Sequence, residues 1–179
     1  MKPTSNITLS EEIREAFQLH HRSLASPSFQ LIALHRIKQR AKNLPRPLAV
    51  PTRAMLHAAW VALRNLYGTS LPTPVVLGRR FKLVHHTGVV IHPQTRFGDD
   101  CIVRQNVTVG GGRTYDEYPT IGNRVSLGAG CVVVGRITVG DDVTIGPNAV
   151  VMTDIPAGAT VVAPASRVIG APLRQKKAS

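Results

Sequence analysis

The chain has 179 residues, enough for one domain with an appendage, and its apolar fraction of 43% is that of a globular protein. No apolar run reaches the roughly 18 residues of a spanning helix, which excludes an integral membrane protein built on helices. The net charge of +12 is uneven, since residues 1–80 hold 12 Lys/Arg against 3 Asp/Glu. Such an excess can meet an anionic membrane surface or anionic substrates, while 4% aromatics and no recognition motif speak against a nucleic-acid partner.

The first elements read as helices. Ser10 is a candidate N-cap, followed by Glu11 and Glu12 in the first turn, where the helix dipole favours acids. That helix runs to about Leu24, and Ser28 can cap a second one with Leu31, Leu34 and Ile37 on one side. Pro45, Pro47 and Pro51 predict a stiff extended link, then a third helix from Thr52 to Tyr67 ended by Gly68. Two readings of residues 1–68 stand side by side. They form a helical cap over a solenoid end, whose edges need covering, or a basic amphipathic anchor on a membrane surface.

The remainder, residues 69–170, is organised by a period of six. From Ile121 to Pro156 six hexads run in unbroken phase. Their first positions are Ile121, Leu127, Val133, Val139, Ile145 and Val151, and their fifth are Val125, Cys131, Ile137, Val143, Ala149 and Ile155. Six fits neither helix nor simple strand and marks a β-solenoid with both apolar positions facing the axis. The phase extends back to Leu77 and slips by two residues at Thr95 and Arg96. It breaks over 110–120, a polar Gly-rich stretch expected to leave the solenoid as a loop, and is lost after Pro156. A basic tail, residues 171–179, follows. Cys101 and Cys131 fall on inward positions, where small buried thiols suffice and no disulfide is implied.

A dry aliphatic interior leaves chemistry to the surface. In Leu83-Val84-His85-His86-Thr87-Gly88, Leu83 and Thr87 are expected to point inward and both histidines outward. A free imidazole there can serve as a general base near neutral pH, or be a surface histidine of no function. A three-His metal site is poorly supplied, because no histidine follows His92 and the earlier ones lack ligand spacing. No metal is therefore expected.

The segments GRRFKLVHHTGVVI, VTVGGG and YPTIGNRVSLGAGCVVVGRITVG resemble the serine acetyltransferase group of hexapeptide acyltransferases, and still more its polysaccharide-biosynthesis members of the colanic-acid type. The resemblance covers about residues 77–170. It implies a left-handed parallel β-helix, a homotrimer, and acetyl-CoA bound between adjacent subunits. His85 takes the place of the catalytic base, and Gly111 and Ala129 those of turn residues lining the thioester and pantetheine. Gly112 and Arg113 join them as candidate cofactor contacts; Arg113, Lys176 and Lys177 are guesses from charge for the CoA phosphates. The departures bear on the acceptor. The family's Asp before the catalytic His is Val84, a second Asp falls on Ser70, and an Arg-His pair becomes Glu117-Tyr118.

The expectation is a mainly β protein with a short α-helical start, an acetyl-CoA-dependent O-acetyltransferase. Its acceptor is a sugar hydroxyl of an exopolysaccharide, capsule or precursor, with His86, Asp116, Glu117 and Tyr118 on the substrate side. The alternatives are serine O-acetylation and a non-catalytic trimeric scaffold or membrane-binding protein. The expected location is the cytoplasm, peripheral to the membrane.

Overall fold

The computed structural model describes residues 7–43, 45–167 and 169. The basic tail with Lys176 and Lys177 lies outside these residues. Three helices come first: α1 (Leu9–Leu19), α2 (Pro27–Arg40) and α3 (Arg46–Tyr67). The N-cap of α1 is Thr8, not Ser10, because Thr8 and Glu11 bond reciprocally in a capping box that Ser10 cannot complete. Ser26 caps α2 in place of Ser28, with Pro27 at the first helical position, where a missing N–H costs nothing. The extended proline link is also corrected. Pro47 lies in the first turn of α3 and Pro51 inside the helix. Gly68 closes α3 at φ 60°.

Twelve two- or three-residue strands follow and stack into three parallel walls of a triangular prism. One wall holds β1 (Lys82–Leu83), β4 (Ile102–Val103), β7 (Ser126–Leu127), β10 (Thr144–Ile145) and β12 (Thr160–Val161). The second holds β2 (Val90–Ile91), β5 (Thr108–Gly110), β8 (Val132–Val134) and β11 (Val150–Val151). The third holds β3 (Arg96–Phe97), β6 (Thr120–Ile121) and β9 (Thr138–Val139). The first hexad position points to the axis in each coil, as in Val109, Ile121 and Leu127, each at most 1% exposed. The fifth position fills the corners, with Val125, Cys131 and Val143 equally buried. Burial pushes the Cys101 and Cys131 thiols up to about 12 and about 11, so neither is a nucleophile at neutral pH.

Two phase expectations are corrected. Leu83 pairs with Val103 and Ile91 with Val109, so the two extra residues lie in the corner 84–89 and not at Thr95–Arg96. Val89 and Ile91 are both buried aliphatics, which is why counting alone misplaced the slip. Thr87 is accordingly exposed instead of inward. The unbroken run to Pro156 is also corrected: the coil loses two residues between Val151 and Ile155, so Ile155 bridges Val139 in a first position instead of the expected fifth, and it continues past Pro156 with Val161 paired with Ile145.

The helices cover the first coil. From α2, the His35 Nε2–H donates to Val75 O (3.1 Å), Gln39 Nε2 to the same oxygen (2.6 Å), and Arg36 Nη1 to Leu77 O (2.8 Å). These carbonyls would otherwise be bare edge acceptors. Glu12 faces the Arg36 guanidinium at 3.7 Å. His20 makes a second joint: Leu83 N–H donates to its Nε2 (3.1 Å), so Nδ1 carries the proton and donates to Ala16 O (2.7 Å).

Both histidines are held neutral, chiefly by burial. The His35 pKa is pushed down from 6.5 to about 3, with the adjacent Arg36 charge adding to the effect. The unfolded chain therefore takes up protons below about 6.5 that the folded chain refuses. Stability should be level above pH 6.5 and fall as pH drops from there towards 3, by up to about 1.4 kcal/mol per pH unit for each such group. Urea midpoints measured from pH 8 to pH 4 check this, and His35→Gln should flatten the profile.

Candidate active site

His85 sits in the corner that carries the two extra residues, between β1 and β2. Its backbone is left-handed (φ 56°), and Gly88, closing the same corner, is also left-handed (φ 72°). The imidazole of His85 is exposed. The corner is fastened from both sides. Thr69 Oγ1 donates to His86 O (2.6 Å), Gly88 N–H to Gly68 O (3.0 Å), and Asn106 N–H to Thr87 O (2.9 Å). A Cβ on Gly88 would lie 2.1 Å from Asn106 Oδ1, so the chain approaches that side chain as only glycine can. His86 is half-buried with its ring edge-on to Tyr67 (centroids 5.1 Å apart), and burial together with the His85 charge lowers its pKa. Two adjacent histidines thus divide: one packs against α3 and the other is presented to solvent.

Residues 111–119 leave the prism at the next corner, between β5 and β6. Val109 and Ile121 are consecutive inward residues twelve apart, so this segment carries six more residues than a plain side. Gly112 N–H donates to Glu117 O (2.7 Å), and Arg113 N–H donates to the Glu117 carboxylate (2.8 Å). Glu117 therefore braces its own loop. Tyr118 stacks on His92 (centroids 6.1 Å, planes 8° apart) and Tyr115 leans on the same ring (4.9 Å). Asp116, Tyr118, Thr120, Arg136, Thr138 and Asp154 line a groove of about 390 Å³. The Asp116 carboxyl is held below its usual range, mainly by the Thr114 hydroxyl, with Arg136 contributing. Arg136, which the sequence reading did not single out, is the groove's cation.

The expected site residues do not all meet. His85 and His86 lie at one end of the β2 wall and Gly111, Gly112, Arg113, Asp116, Glu117 and Tyr118 at the other, roughly 15 Å away along about five extended residues. Ala129 belongs to the His85 end, in the β7–β8 corner two coils above. Between the ends the outer face of this wall is largely aliphatic, its outward row being Val90, Thr108, Val132 and Val150. Val90 is 46%, Val150 63% and Met152 68% exposed. The other two walls are more polar outside, presenting Lys82, Ile102, Ser126, Thr144 and Thr160 on one and Arg96, Thr120 and Thr138 on the other. Among the described residues no group of three metal-binding side chains occurs, and no helix is long and apolar enough to cross a membrane.

The signature of the bacterial transferase hexapeptide family (six repeats) matches residues 118–152. A serine acetyltransferase of Mycobacterium tuberculosis is 40% identical over 85 residues, covering 46% of this chain and 37% of that protein. The Escherichia coli protein named colanic acid biosynthesis acetyltransferase WcaB is 39% identical over 70 residues, covering 38% and 43%. The chain thus spans less than half the length of these curated relatives. The crystal structure of serine acetyltransferase isoform 3 from Entamoeba histolytica, in complex with cysteine, superposes with a TM-score of 0.75 at 21% identity, over 92% of this chain and 61% of that one. The fold is the left-handed parallel β-helix of these structures.

Proposed function

We propose that this chain, a member of the hexapeptide-repeat transferases, is an acetyl-CoA-dependent O-acetyltransferase of the serine acetyltransferase type. The observation that carries the reading is His85, raised on a lengthened left-handed corner beside an apolar wall. His85 takes the proton of an acceptor hydroxyl as that oxygen attacks the thioester carbonyl. The C–S bond breaks, and the imidazolium returns the proton to the departing thiolate. Backbone N–H groups at the Gly111 and Ala129 turns are the candidates for holding the carbonyl oxygen as it becomes anionic. The apolar wall beside them suits the pantetheine arm.

Since His85 and the 111–119 loop stand at opposite ends of one wall, a complete site needs a second copy of the chain. We take the assembly to be the homotrimer of the fold family, with the apolar β2 wall facing its neighbour and the loop of one subunit reaching the His85 corner of the next.

The relatives favour L-serine as acceptor over the sugar hydroxyl expected from the sequence. Arg136, in a groove with Asp116 and Asp154, supplies the charges a free amino acid would need. A second reading, a sugar hydroxyl, keeps one specific support: Tyr115 and Tyr118 make an aromatic surface with His92, and Glu117 replaces a cation of the family pattern. Thiol release from acetyl-CoA, measured with L-serine and with a panel of oligosaccharides, decides between them. Release with serine is the expected result. Release with glycans alone would move the acceptor to the second reading, and release with neither would overturn acetyl transfer.

A further inference from the structure

Helix α3 buries one face and leaves the other without a partner in the chain. Leu56 is buried, while Leu48 (61%), Val50 (71%), Met55 (65%) and Leu66 (72%) are exposed. At 100° per residue, Leu48, Met55 and Leu66 fall on one line, with the exposed Ala58 and Ala62 beside it. From Val50 round to Ala59 this outer face carries no charged residue.

Its border is cationic. Lys38 and Arg64 both lie over the Trp60 ring, at 4.6 and 4.9 Å, and Arg53 donates to the Lys42 carbonyl, so these four cations follow the seam of α2 and α3. Residues 27–67 contain seven Lys/Arg and no Asp or Glu. The nearby acids of α1 are already engaged, Glu12 with Arg36 and Arg40 and Glu15 with Arg79. An uncharged apolar face with a purely cationic border is complementary to an anionic lipid surface, where the apolar side chains enter the headgroup boundary and the cations meet phosphates. A second copy of the same face is a poor partner, since it brings cations to cations.

We propose that the outer face of α3 seats this protein on an anionic lipid surface. The C-terminal end of α3 abuts the His85 corner through Tyr67 and Gly68. A chain lying on lipid through α3 therefore holds that corner near the membrane. The inference concerns location and does not depend on which acceptor is used.

The test is co-sedimentation of the full chain with phosphatidylcholine vesicles, with and without phosphatidylglycerol. The wild type should pellet with the anionic vesicles and bind neutral ones roughly tenfold or more weakly. Met55→Glu combined with Leu66→Glu should stay in the supernatant with an unchanged circular dichroism spectrum, both positions being exposed. Wild type that stays in solution with anionic vesicles overturns the proposal, as does a variant that pellets equally. A variant that instead lowers the molar mass seen by light scattering overturns it in favour of a second copy.

Discussion

His85→Asn is expected to lower kcat for acetyl transfer by about 10²–10⁴-fold, the usual worth of a positioned general base. Asparagine is the informative replacement. His85 is left-handed at φ 56°, a conformation asparagine adopts readily and alanine resists by about 1–2 kcal/mol. The corner should keep its shape, held by the bonds of Thr69, Gly88 and Asn106, none of which uses the imidazole. The KM for acetyl-CoA should move by no more than roughly threefold, because the substitution removes a group acting in the transition state. Steady-state kinetics with thermal unfolding on the same samples checks both. A variant of wild-type kcat would remove His85 from the chemistry, and a fall in Tm matching the loss of rate would make the residue structural.

The second large effect lies at the corner joining the third wall to the first. Gly78, Gly98, Gly122 and Gly140 stack there, each against the backbone of the coil above. A Cβ on Gly78 would lie 2.1 Å from Gly98 O and 2.6 Å from Asp99 N, and one on Gly98 2.7 Å from Gly122 O. No side chain can rotate away from a backbone atom, so the coils must separate. Gly78→Ala and Gly98→Ala should each cost about 3 kcal/mol or more, at the upper end for overpacking. Gly146→Ala, where the nearest atom is Val161 O at 3.1 Å, should cost clearly less. Urea denaturation of the three variants orders them. Equal midpoints would mean that the coils are not in the close contact described.

Much of the prism was legible in the chain. The inward positions from Ile121 to Val151 announce a period that only stacked coils explain, and the buried row Ile121, Leu127, Val133, Val139 repeats it in space; the last hexad, ending at Ile155, breaks that phase because the final coil is two residues short. Local reading failed where two candidates were locally equivalent. Val89 and Ile91 are both aliphatic and both buried, and only their pairing across to the next coil shows where the extra residues sit. Thr8, Ser10, Ser26 and Ser28 are all competent caps, and the choice was made by Glu11 and by the tertiary seat of α2 on the first coil. The histidine pair was visible as an outward-facing candidate, but its separation from Tyr118 by a whole wall was not. A hexad count gives the side of the strand a residue faces, not the corner it reaches.

The two insertions into the six-residue period, at 84–89 and at 111–119, lie at the two ends of one wall, and neither displaces a rung of any strand. The extra chain bulges outward where it costs the stacking nothing. The shape of the prism and the surface of its two longest bends are thereby set by separate residues. Those two bends can be lengthened, shortened or recharged while the aliphatic column that determines whether the chain folds stays untouched.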